Sequence, residues 1–194
     1  MPATNQAAPQ SSRSVVEEIL ALFESAGQSA YLGEAVTQLE HALQCAQLAR
    51  DAGADNEMML AALLHDIGHL CAPAGPEGVG VVDHDEAGAR YLRERGFSRR
   101  LTALVGGHVA AKRYLTATNP SYFNTLSPTS VTTLRLQGGP MNPDEASAFE
   151  CDVLAADKLQ LRSWDEAAKR PGWKVAPISS YRDLLLAHLN RKEN

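Results

Sequence analysis

The sequence predicts an all-α fold: a single helical bundle, interrupted by one long ordered loop near residues 116–143. Three observations predict it. Apolar residues recur every three or four positions through most of the chain, and no stretch alternates as a half-buried strand would. Gly or Gly/Pro-rich segments mark several boundaries between these stretches, at Gly27, Gly53, Gly96 and after Leu70. With 194 residues, 44% of them hydrophobic, the chain can bury one good core but not two.

Each element follows from its residues. The start, MPATNQAAPQSSR, is rich in Ala, Pro, Gln and Ser, and residues 1–13 are expected to form a disordered tail ahead of one folded unit spanning 14–194. From Ser14, Val15, Ile19, Leu22 and Phe23 repeat at helical spacing, with Glu17 and Glu18 suited to the helix dipole; this helix should end near Gly27. A second helix is expected over 37–52, stopped by Gly53, and a third over 56–68. The Gly/Pro-rich CAPAGPEGVGVVD must be loop, after which 86–95 and 98–114 read as two helices parted at Gly96. Residues 116–143 hold four prolines and the pair Gly138-Gly139, hence the long loop, a feature that is usually functional inside a compact domain. Helices are expected again over 144–169 and 179–189.

Composition narrows the function. A net charge of −5 and a pI near 5.7 provide no general attraction to nucleic acid or to an anionic membrane, so neither is an expected partner. There is no apolar run of membrane-spanning length and no signal-peptide core, which suggests a cytoplasmic protein. Three cysteines, Cys45, Cys71 and Cys151, are too widely spaced for a zinc ribbon and odd in number, and read as small buried thiols.

The chemistry concentrates in the histidines. Five of six lie between positions 41 and 108, each on or beside an expected helix. His41 has Leu39, Leu43 and Leu48 as near neighbours and should face inward. His65-Asp66 ends the strongly apolar LAALL, and a buried Asp is costly unless it is paired or metal-bound. Imidazoles with carboxylates suit iron, manganese or zinc, and iron is favoured where positions stay open for oxygen.

His41, the His65-Asp66 pair in LAALLHDIGH and a late Asp resemble the HD superfamily of helical metalloproteins. His84 in VVDHDEAGARYL and His108 in VGGHVAAKRYL resemble the additional pair that gives some members a second metal. YLGEAVTQLEHALQCAQLA, the Lys four residues after His108, LSPTSVTTLRLQGGPM and RSWDEAAK further resemble the HD-domain mixed-valent diiron phosphonate oxygenases, over roughly residues 31 to 170. That resemblance implies an Fe(II)/Fe(III) pair that uses O2 to cleave the C–P bond of a 1-hydroxy-2-aminoethylphosphonate, or its N-methylated or trimethylammonio analogue. The products would be phosphate and glycine or glycine betaine.

By position, the resemblance implies metal ligation by His41, His65, Asp66, His84, His108 and Asp165, with Asp66 bridging. It assigns Tyr31 and Glu34 to a mobile element in which the Tyr guards an iron position, and His69, Lys112, Ser130 and Arg162 to the phosphonate. Lys112 lies one turn after His108, and Arg162 three residues before Asp165, so each shares a helix face with its neighbour. His69 or Glu34 would supply acid–base help. Asp157 in AADKL rivals Asp165, and Ser127 rivals Ser130. The substrate's nitrogen stays open, with Tyr31, Tyr122, Phe123 and Trp164 available as aromatic faces for a quaternary ammonium. Two other classes compete: a dinuclear HD-domain phosphohydrolase acting on a nucleotide or phosphomonoester, and a non-catalytic sensor.

Overall fold

The computed structural model describes residues 11–31, 33–72 and 81–191. Twelve α-helices account for most of these residues, and no strand occurs among them beyond an isolated bridge between Ala30 and Thr37. The helices are α1 Ser12–Ser25, α2 Gln38–Asp51, α3 Asn56–Leu64, α4 Gly68–Cys71, α5 His84–Glu94, α6 Arg99–Val105, α7 His108–Thr118, α8 Pro120–Phe123, α9 Pro128–Leu136, α10 Pro143–Glu150, α11 Ala155–Ala167 and α12 Arg182–Leu189. No helix among the described residues is long and apolar enough to cross a membrane.

α3 is the axis of the bundle. Leu60 to Leu64 are wholly buried, so this helix carries no polar face, as befits one surrounded by others. It packs against α2, α6, α11 and α12. Side-chain caps fix where the helices start: Ser11 caps α1, Thr37 and Glu40 form a capping box on α2, and Asp55 accepts from Glu57 and Met58 at the head of α3. Arg100 on α6 then bridges Asp55 and Glu57 at the start of α3 to Asp157 on α11, at 3.0, 3.2 and 2.8 Å.

The expected elements are present with four differences. The expected tail of residues 1–13 lies outside the described residues for its first ten, whereas Ser11 to Arg13 already cap and begin α1. The expected helix over 98–114 breaks at Gly106-Gly107, where a Cβ on Gly107 would run into the Lys158 stem of α11. The helix over 144–169 is likewise two, α10 and α11, parted at 151–154. The expected long loop at 116–143 holds α8 and α9. Its prolines mislead because three of the four sit at the first helical position, Pro120, Pro128 and Pro143 behind the caps Asn119, Ser127 and Asn142, where a missing N–H costs nothing. Of the three thiols only Cys45 is fully buried; Cys71 is half-buried and Cys151 exposed.

One close approach sets the depth of the site. α4 and α5 cross at Gly68, where a Cβ would overlap the backbone carbonyl of His84, and Gly88 faces Gly68 from the other side. Gly68→Ala should therefore push the start of α5 outward. We expect a cost of about 1–3 kcal/mol. Thermal unfolding reads this as a fall of roughly 2–4 °C for each kcal/mol, accompanied by reduced metal uptake.

Candidate metal centre

Five segments converge on one buried point. His41 comes from α2, His65 and Asp66 from the turn between α3 and α4, His84 and His108 from the first residues of α5 and α7, and Asp165 from α11. All six are buried. Every one of the four rings is pinned the same way, with Nδ1 against a backbone carbonyl: His41 to Ala168 at 2.8 Å, His65 to Ala62 at 2.9 Å, His84 to Val81 at 3.1 Å and His108 to Val105 at 2.8 Å. A carbonyl can only accept, so each Nδ1 carries a proton and Nε2 is the atom each ring turns inward. His41 does a second job, since its carbonyl partner ties α2 to the end of α11, where Gln44 and Arg170 add two hydrogen bonds.

The inward atoms form two groups, His41 with His65 and Asp165, and His84 with His108 and Asp66. The Nε2 atoms of His41 and His65 are 3.1 Å apart, those of His84 and His108 2.9 Å. With both Nδ1 atoms protonated, two neutral rings cannot hydrogen-bond to each other, so each short contact calls for positive charge in the gap, a metal ion or a proton; against the effect of burial, the Asp66 charge holds His65 well above the usual imidazole value. Asp66 addresses both groups. Its Oδ2 lies 3.3 and 3.6 Å from His65 and His41, its Oδ1 3.2 and 3.4 Å from His84 and His108. Asp66 Oδ2 and Asp165 Oδ1 are buried without any hydrogen bond. Burial alone would raise both carboxyls, but the surrounding imidazoles, and Arg162 in the case of Asp165, hold them well below the usual carboxylate range. Four imidazoles and two carboxylates with orphaned oxygens, one of them shared, fit a dinuclear metal site, and their outer hydrogen bonds are those that orient metal ligands.

Asp157, the rival of Asp165, points elsewhere, into its ion pair with Arg100. Arg162 reaches Asp165 Oδ2 at 2.5 Å, pairs with Glu166, and donates to the Tyr122 hydroxyl at 2.9 Å. It is thus a structural neighbour of the metal set as well as a cation at the pocket.

Above Asp66 opens a small cavity of about 50 Å³, lined by Tyr31, Glu34, His69, Lys112, Ser130 and Arg162 among others. All the phosphonate candidates of the sequence are therefore brought together there. Tyr31 stacks on His41 at 4.0 Å, and burial with the charges of Asp66 and Asp165 pushes its phenol well above the usual value. His69 stacks on His84 at 4.0 Å, and burial beside that ring lowers it to about 3, so it is neutral. Its Nδ1 accepts from the Val81 amide, which leaves Nε2–H as a donor. Lys112 is 3% exposed; burial and the nearby Arg162 lower it to about 7, and its ammonium donates to Thr133 at 3.1 Å. Ser130 lines the cavity, whereas Ser127 is the N-cap of α9. Of the aromatic faces considered for a quaternary ammonium, Trp164 belongs to the core, Phe123 is 42% exposed, and Tyr122 is held by Arg162.

Sequence reasoning missed Thr129, Thr133 and Lys169, which also line the cavity. Lys169 could have been found by the rule that located Lys112, since it lies four residues after Asp165. Thr133 lies three after Ser130.

The HD domain family model matches residues 39–160. The [1-hydroxy-2-(trimethylamino)ethyl]phosphonate dioxygenase (glycine-betaine-forming) of Leisingera caerulea is 43% identical over 173 residues, covering 84% of this chain and 88% of the relative. The hydroxymethylphosphonate dioxygenase of Gimesia maris is 41% identical over 170 residues, 86% of this chain and 84% of the relative. The chain belongs to the HD-domain phosphonate dioxygenase family. An uncharacterised protein of Acanthamoeba polyphaga mimivirus is also similar, at 38% over 183 residues, 92% of this chain and 84% of the relative. Tyr31, Glu34, Arg162, Asp165 and Lys169 fall outside the stretch matched by the HD domain model.

Purified protein of this HD-domain chain should carry close to two metal ions. His84→Ala should lose about one, Asp66→Ala most of both, and Asp157→Ala neither, all read by elemental analysis. One zinc per chain with unchanged content in the Asp66 variant would refute the dinuclear arrangement.

Proposed function

We propose that this protein is a diiron oxygenase, with a mixed-valent Fe(II)/Fe(III) pair, that cleaves the C–P bond of a 1-hydroxyalkylphosphonate with O2. In this reading residues 14–194 act as one catalytic unit in the cytoplasm, on a small-molecule organophosphonate. His41, His65 and Asp165 would hold one iron and His84 and His108 the other, with Asp66 facing both groups. The observation that carries the reading is Asp66, one carboxylate facing both histidine groups beneath a cavity that also holds a buried lysine and arginine. The two named phosphonate dioxygenases support the reaction class.

The chemistry requires an oxidant. A C–P bond with no adjacent carbonyl offers no stabilised carbanion for hydrolysis to expel, so C1 must first lose hydrogen. In the balanced reaction R–CH(OH)–PO₃H₂ and O2 give R–COOH and phosphoric acid: C1 loses four electrons, and O2 gains four. The iron pair, when bound, supplies O2 activation and the electron transfers.

The protein's own residues bind and orient. Lys112, lowered by burial, regains full charge when a phosphonate dianion arrives, and Arg162 presents a second cation. Neutral His69 donates its Nε2–H to a phosphonate oxygen, which fits a positioning role better than that of a base, and Ser130 supplies a hydroxyl. Tyr31 closes the cavity until substrate displaces it, and Glu34, in the same turn through its amide bond to the Tyr31 carbonyl, moves with it. The reaction class alone leaves the substituent R open among hydrogen, aminomethyl and its N-methylated or trimethylammonio forms.

Release of phosphate should consume O2 stoichiometrically, and ¹⁸O2 should label the carboxylate or phosphate product. Lys112→Ala should mainly raise KM, roughly ten- to a hundredfold for a lost charge-assisted contact of about 1.5–3 kcal/mol, with normal metal content. Undiminished anaerobic turnover, or activity confined to phosphomonoesters, would assign the site to hydrolysis instead.

A further inference from the structure

The charges around the cavity pair off unevenly. Asp66 and Asp165 belong to the metal set. Arg162 is matched by Asp165 and Glu166, whereas Lys112 has, among the described residues, the Thr133 hydroxyl and no carboxylate ion pair, so it is the cation left for an incoming anion. The remaining carboxylate is Glu34. Its Oε1 is buried without a hydrogen bond, yet the Lys169 ammonium stands 3.4 Å from it. Lys169 also reaches Glu166 at 3.5 Å, which holds it in place from the other side. Gly33, with φ +71°, fits Glu34's turn against α9, where a Cβ would strike the Thr129 side chain.

A substrate with a cationic R would need a counter-charge. Glu34 is the one carboxylate of the described cavity wall free of the metal set, and Lys169 already neutralises it. The alternative for a quaternary ammonium is a set of aromatic faces, and among the described wall residues Tyr31 is the one aromatic side chain besides histidine. Both routes for recognising a cation at R are therefore closed while Lys169 is in place.

Resting on the oxygenase reading above, we propose that Lys169 is a specificity-determining residue: by occupying Glu34 it selects 1-hydroxyalkylphosphonates with an uncharged substituent, hydroxymethylphosphonate being the simplest, over those bearing an ammonium. Without Lys169, Glu34 becomes a buried carboxylate lacking its counter-ion, and a substrate ammonium can take that place.

The test compares iron-loaded wild type, Lys169→Met, Lys169→Arg and the double variant Lys169→Met/Glu34→Gln on hydroxymethylphosphonate and 2-amino-1-hydroxyethylphosphonate. Steady-state O2 uptake gives kcat and KM, and anaerobic calorimetry gives Kd. Wild type should favour hydroxymethylphosphonate at least tenfold in kcat/KM and in Kd. Lys169→Met should shift both ratios at least tenfold toward the ammonium substrate, Lys169→Arg should keep the wild-type order, and the double variant should lose the gain. A variant whose Lys is merely structural would weaken both substrates alike. Equal ratios in wild type and Lys169→Met, or a wild type that prefers the ammonium, would overturn the proposal. Binding in the predicted order without O2 uptake would refute the oxygenase reading while supporting Lys169's role, and binding of neither phosphonate would refute both.

Discussion

The structure is organised around a carboxylate that cannot be buried alone. Asp66 lies 6% exposed at the centre of four imidazoles whose Nε2 atoms, fixed by carbonyls behind the rings, converge on it from two sides. Neither a buried anion nor a pair of Nε2 atoms 2.9 or 3.1 Å apart is tolerable without positive charge in the gap. Metal ions resolve both problems, and their ligands must then be delivered from five segments with little latitude. That demand accounts for α3 being apolar on all sides, for the glycine crossing of α4 and α5, and for the breaks that start α5 and α7 at a histidine. It also accounts for the way α11 is tethered, by His41 and Gln44 at its end and by Arg100 near its beginning.

Around this centre the protein distributes charge so that little is left over. Arg162 shows the economy, since the same guanidinium neutralises the second oxygen of Asp165, binds Glu166 and Tyr122, and faces the cavity. Its removal would leave Asp165 and Glu166 without their counter-charge as well as changing the cavity wall, so it cannot be read as a simple anion binder. Lys112 is different. It is buried with one hydroxyl partner, a placement that is unfavourable for an ammonium until an anion arrives, and this makes its side chain the cleaner electrostatic probe of what the cavity takes.

Much of this was legible in the sequence, for a physical reason. A helical site announces itself by residues that violate the helix's own pattern, such as His65-Asp66 at the end of LAALL or His41 among leucines. His41, His65 and Asp66 stood out that way, whereas His84, His108 and Asp165 became metal-ligand candidates through the family resemblance. Helix breaks were harder to see: Gly106-Gly107 was readable as part of one helix, and what a side chain at 107 would meet, the Lys158 stem of α11, is remote in sequence. The prolines of 116–143 misled because a proline that starts a helix and one that ends it look alike until the cap residue before it is weighed. The resemblance of RSWDEAAK favoured Asp165 over Asp157, and the fold shows a physical difference between them, since Arg100 claims Asp157. Lys169 lies four residues after Asp165, a spacing that could place it at the site, but its ion pair with Glu34 joins segments far apart in the chain and only the fold brings them together.

The central claim is that Asp66 joins two metals into one electronic unit. The most direct measurement is the Mössbauer spectrum, in parallel with electron paramagnetic resonance, of protein loaded with ⁵⁷Fe and poised with one iron oxidised. The account predicts two distinct iron sites that are spin-coupled to each other, with the coupling lost in Asp66→Ala. Magnetically isolated irons in the wild type, or a single iron environment, would contradict it.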